Sequence, residues 1–224
     1  MATTLATLES RVYAILGVDP AKEASGQYGE THVIAALNTA QRFIAKSATP
    51  ASLGSLAKTA QHTISAYPLD VKVVAFEKDC VAGGRLLFVT VGNFADDVAL
   101  LSAEEFKNVG KSEDTSSTEV KNYCAFEFGR YVYVRPQPPL NTVFVEWYIN
   151  DPTDMVAGGS MSLPDDWKEW LALCAAQILA LNARDKAKMD DITSLMTGWS
   201  AQFRAQYGLN PPTIQAPVES GKVA

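Results

Sequence analysis

The chain reads as an α+β protein: a four-helix bundle drawn from the two ends of the sequence, with an antiparallel β domain inserted between them. Three observations predict this. Apolar residues recur at helical spacing near both ends of the chain. Between them, short runs rich in Val, Phe and Tyr alternate in polarity and are broken by Gly and Pro. The apolar stripes at the two ends need a surface to hide against, and each supplies the other. The boundaries fall at 1–56 (first helices), 57–160 (β-rich insertion), 161–208 (last helices) and 209–224 (an extended C-terminal arm).

In the first helical pair, Leu5, Leu8, Val12, Ile15 and Leu16 share a face and Gly17 can end the helix. Thr31 is placed to cap a second helix carrying Val33, Ile34, Leu37, Ala40, Gln41 and Ile44 on one side. An Ala/Ser/Pro/Gly stretch over 49–56 marks a linker.

Strand character follows around His62, Ile64 and Ala66, over 71–76, and over 85–91, with Gly83-Gly84 as a hairpin turn into the last of these. A helical turn is expected around Ser102–Phe106, and a polar loop over 111–119. Three more strands follow, in YCAFEF, YVYVRP and TVFVEWYI. Gly129 suits the first position of a type II′ turn, where positive φ is needed, and Pro136, Pro138 and Pro139 end the middle strand. Successive residues on each strand face opposite ways, and Val143, Val145, Trp147 and Ile149 share one face.

Gly158-Gly159 turns the chain back to helix. Trp167, Trp170, Leu171, Cys174, Ile178 and Leu181 form a stripe, and Asp165 and Asp166 favour the positive end of that helix. A charged break over 184–191 separates it from a final helix carrying Ile192, Leu195, Trp199, Phe203 and Tyr207, which Gly208 ends.

Composition excludes several classes. The 224 residues carry a formal charge of −6, and no cluster of Lys and Arg offers a phosphate-neutralising face. Cys80, Cys124 and Cys174 are far apart and lack CxxC spacing, so buried free thiols are expected, with neither a disulfide framework nor a zinc site. No basic start with an apolar run resembles a signal peptide, and no apolar stretch reaches the roughly 18 residues of a membrane helix.

Motifs for chemistry are missing too. His32 and His62 stand outside any HxH or HExxH pattern, and the Asp96-Asp97, Asp165-Asp166 and Asp190-Asp191 pairs point apart on regular elements. There is no GxSxG, Walker loop or GxGxxG. Neither a catalytic residue, a cofactor nor a metal is expected, and the protein reads as a non-enzyme. Tyr131, Tyr133, Trp147 and Tyr148 could stack bases, but only Arg130 and Arg135 interleave with them, so core and protein interface are favoured. The competing reading is a monomeric α+β ligand-binding or enzymatic domain, in which His62, Asp70, Cys80 and Glu127 converge at a pocket between bundle and sheet.

The order of segments resembles the head–tail adaptor (connector) proteins of tailed bacteriophages. The likeness is carried by LESRVYAILG, VIAALNTAQRFIA, Tyr67-Pro68-Leu69, FGRYVYVRPQPP, WYINDP and LPDDWKEWLALCAAQILAL. It implies a virion protein, assembled in the host cytoplasm into a ring of identical subunits (typically a dodecamer) at the head–tail junction. Its partners would be the portal protein, tail or nozzle proteins and further copies of itself. Genome DNA would pass through the lumen without sequence-specific binding, with no membrane involved. Helices would form the ring wall and the β domain would meet the tail. The arm would reach a neighbouring ring, which marks Leu209, Pro211, Pro212 and Ile214 as partner-binding candidates, with Arg130 and Tyr131 at the hairpin tip. A tail-completion or stopper protein would share this setting.

Overall fold

The computed structural model describes residues 3–22, 26–48, 53, 56–66, 74–80, 84–92, 96–109, 123–207 and 211–212. Two compact units divide the chain. Met1–Leu56 and Asp151–Ala224 make a helical unit, and Ala57–Asn150 makes a strand-rich one. The mixed α+β class is therefore observed.

The helical unit holds α1 (Leu5–Leu16), α2 (Glu30–Ser47), α4 (Lys168–Ala183) and α5 (Lys186–Tyr207). Thr4 caps α1 by accepting from the Thr7 amide, and Gly17 closes it at φ 64°, in the left-handed region that glycine enters without steric cost. Helix α2 begins one residue before the expected cap. Gly29 is the N-cap and its carbonyl accepts from His32 and Val33, so Thr31 lies inside the first turn. The apolar side of α2 is buried nearly as expected, from Val33 to Ile44.

Helix α4 is the hub, packing on α1, α2 and α5. A stripe understates it, since every residue from Trp170 to Gln177 is buried. A single 3-10 turn over Asp165–Trp167 leads into it. Asp165 serves less as a dipole partner than as a tether, accepting from the Thr3 amide and hydroxyl at 2.8 Å. The expected charged break over 184–191 is only two residues long. Arg184 turns at φ 54°, and Asp185 caps α5 by accepting from the Lys188 amide at 3.2 Å. Lys186, Lys188, Asp190 and Asp191 are thus helical.

Residues 151–160, which the sequence pattern assigns to the insertion, lie in the helical unit. Polar side chains of α2 hold them there. Asn38 accepts from the Met155 amide, Gln41 donates to the Thr153 carbonyl and accepts from the Ser162 amide, and Arg42 pairs with Asp151 and Asp154.

The other unit contains β1 (Ala57–Thr63), β2 (Val74–Glu77), β3 (Arg85–Val91), β4 (Asp96–Leu100), α3 (Ala103–Val109), β5 (Cys124–Phe128), β6 (Tyr131–Arg135) and β7 (Val143–Ile149). These strands form one sheet in the order β1-β7-β3-β4-β5-β6-β2. All pairs are antiparallel except β4 with β5, so the expected wholly antiparallel domain needs one correction. A second concerns Gly84. Strand β2 pairs with β6 and not with β3, so no hairpin joins β2 to β3. Gly84 answers a close approach instead: a Cβ there would lie 2.7 Å from both the Cys80 sulfur and the Ile149 carbonyl oxygen. The 67–73 and 111–119 stretches and most of the 49–56 linker lie outside the described residues.

The sheet is rolled. His62 of β1 stacks on Phe76 of β2 with ring centroids 4.3 Å apart, although these strands stand at opposite ends of the strand order. Val74, Phe76, Leu86, Val89, Val98, Ala125, Val132, Val134 and Phe144 fill the space enclosed. On β7 the inner face therefore carries Phe144, and Trp147 belongs to the outer side with Phe88, its cross-strand partner.

Candidate functional site

The β5–β6 hairpin carries the most exposed aromatic surface among the described residues. Gly129 sits at φ 60°, and Arg130, next in the turn, stays at negative φ, as a type II′ turn requires. That turn pairs Phe128 with Tyr131 and Phe126 with Tyr133 across the two strands. The four rings form a continuous ladder, with centroids 6.1 Å apart from Phe126 to Phe128, 6.5 Å from Phe126 to Tyr133 and 6.4 Å from Tyr131 to Tyr133. Phe106 of α3 covers the inner end, with Arg135 over its ring at 4.2 Å. A capping box between Ser102 and Glu105 sets that short helix. The outer end is open: Phe128 is 66% exposed and Tyr131 is 44% exposed. Arg130 pairs with Glu77, and Lys78 with Glu127, so the charges around the ladder neutralise one another.

The proline candidates are placed in the helical unit. Pro211 is buried, and the Pro212 carbonyl accepts from the Trp170 indole N–H at 3.0 Å. Trp170 belongs to an aromatic cluster in which Trp199 stacks on it at 4.9 Å and on Phe203 at 4.8 Å. Trp167 meets Phe203 at 4.9 Å. Leu209 and Ile214 lie outside the described residues.

A third feature is polar and enclosed. Glu146 on β7 has no exposed surface, yet it is an ionisable group in a sheet interior. Its Oε2 accepts from the Asp79 amide at 2.8 Å and contacts His62 Nε2 at 2.9 Å, and its Oε1 accepts from the Cys80 amide at 3.1 Å. Burial pushes the Glu146 carboxyl upward. The bonds from His62, Asp79 and Cys80 outweigh it and hold the group below its ordinary value. His62 also lies 3.6 Å from Asp79 Oδ2. Burial raises the Cys80 thiol to about 11, against the opposing influence of Lys78, so it stays protonated at neutral pH.

Of the four residues named for a pocket, two meet. His62 and the Cys80 amide converge on Glu146, while Glu127 turns to Lys78 and Asp70 lies outside the described residues. The sequence reading missed Glu146 itself. Its signal was a lone acid inside the apolar strand VFVEWYI, on the same face as Phe144. Cys80, Cys124 and Cys174 are buried thiols outside any disulfide. His32 lines a cleft of 340 Å³ between α2 and α4 with Thr39 and Asn182. Among the described residues no helix is long and apolar enough to cross a membrane. No family model matches the chain, and no curated protein matches it.

Proposed function

We propose that the protein is a structural head–tail adaptor of a tailed bacteriophage, a virion component that works by assembly and without catalysis. In this reading α1, α2, α4 and α5 form a four-helix bundle that builds the wall of a homo-oligomeric ring beneath the portal. The β5–β6 hairpin is the docking face for a tail protein. DNA passes through the lumen without sequence-specific contact, in keeping with a chain of charge −6.

The observation that carries the reading is the aromatic ladder. Phe126, Phe128, Tyr131 and Tyr133 are clustered and ordered by cross-strand pairing, and Phe128 and Tyr131 are exposed at the hairpin tip. Exposed aromatic rings with neutralised charges at their rim match the composition of protein interfaces more closely than that of nucleic-acid platforms, which need unpaired cations. Pro211 and Pro212 add support, since a chain segment already seated on Trp170 offers a fixed start for an arm reaching a neighbour.

A ligand-binding or enzymatic α+β domain is the second reading, and the His62, Asp79 and Glu146 cluster favours it. The hairpin tests the first. Phe128→Ser combined with Tyr131→Ser should abolish capture of the cognate tail or nozzle protein and leave the unfolding temperature unchanged. Capture unaffected by the double variant would remove the hairpin from the interface.

A further inference from the structure

We propose that His62, Asp79 and Glu146 form a binding site for a divalent first-row transition ion such as zinc, and that the ion clips the rolled sheet shut. One donor atom from each residue lies within 4.8 Å of the other two. Around a tetrahedral ion with bonds of about 2.1 Å, donors stand roughly 3.4 Å apart. The His62 contacts, at 2.9 Å to Glu146 and 3.6 Å to Asp79, bracket that spacing.

Three further features belong to a built site. Glu146 is wholly buried, and two backbone amides orient its carboxylate. The His62 ring is fixed by stacking on Phe76, and its side chain is only 12% exposed. Asp79 is 57% exposed, which leaves one side of the cluster open for the ion to enter and for water to complete its coordination. Two carboxylates meet one imidazole Nε2, and a neutral imidazole has a single N–H to share between them. A dication at that point satisfies all three groups. The imidazole selects the class, because magnesium and calcium prefer oxygen donors throughout.

The placement gives the ion a mechanical role. His62 lies on β1 and Asp79 directly follows Lys78 at the end of β2, and those strands stand at opposite ends of the strand order. Glu146 lies on β7, beside β1. An ion held by all three ties the two ends of the sheet together, much as a hydrogen-bonded pair of strands would close a barrel. This proposal is independent of the adaptor reading.

The test is a titration of the full metal-free chain with Co²⁺, followed by visible absorption and equilibrium dialysis, with Zn²⁺ as competitor. The expected result is one Co²⁺ per chain, displaced by Zn²⁺ but not by Mg²⁺, with a higher unfolding temperature in the loaded form. Asp79→Asn, at an exposed position, should keep the fold and weaken binding by about tenfold or more. His62→Gln should do the same, and His32→Gln should change nothing. Absence of stoichiometric binding would overturn the proposal, as would binding that Asp79→Asn leaves intact or that Mg²⁺ displaces.

Discussion

Single residues carry charges whose folded environments differ from water, and these set how stability follows pH. Burial, reinforced by Glu30, raises the Glu9 carboxyl above its ordinary value. A carboxyl raised in the fold contributes favourably below its unfolded value, and that contribution is lost as pH rises through the folded one. Ionised Glu9 therefore opposes folding at neutral pH. Glu9→Gln should raise the unfolding temperature there, with the gain vanishing below roughly pH 4 in calorimetric scans. Glu146 has the opposite sign, since its folded value is lowered. Its contribution is present above the unfolded value and is lost as pH falls through the folded one. Glu146→Ala would strand the Asp79 and Cys80 amides and open a cavity, so urea unfolding should show a loss of about 3 kcal/mol or more.

At the scale of elements, the strand and helix ends depend on contacts that sequence spacing does not display. Helix α1 was legible in its period and its end, because Leu5, Leu8, Val12 and Leu16 are buried on one face and Gly17 closes it, although Ile15 is only half-buried and Tyr13 and the Thr4 cap were not foreseen. The β5–β6 hairpin was legible for the same kind of reason: Gly129 alone dictates the turn, and the turn dictates the pairing. The β2–β3 connection was misread because Gly84 satisfies a distant constraint, the approach of Cys80 and Ile149, and a turn glycine looks identical in a sequence. Gly84→Ala forces a methyl group against a backbone oxygen that cannot move aside. It should cost about 2 kcal/mol, read as a fall in the unfolding midpoint. The length of α5 was underestimated because Lys186 and Asp190 suggest a loop, whereas Asp185 caps a helix that includes both. Trp170→Phe tests a different link, since it keeps the ring stacking and deletes the bond to Pro212. It should cost about 1 kcal/mol, read as a fall in the unfolding midpoint, while α4 stays folded.

For the whole molecule, the sequence ends meet in one unit and the middle folds into another, so the chain enters and leaves the sheet through the helical part. That arrangement was legible from the change of apolar period along the chain. The buried Glu146 cluster was not, because it joins residues up to 84 positions apart: the pairing of β1 with β7 brings His62 to Glu146, and the roll of the sheet brings Asp79 and Cys80 to both. In the proposed reading, the unit built from both chain ends holds a ring together and the hairpin meets another protein. Negative-stain electron microscopy of the purified chain mixed with its cognate portal tests this most directly. The account predicts closed rings of the protein seated on the portal, forming only in the mixture or more completely there. A chain that remains monomeric and leaves the portal undecorated would contradict it.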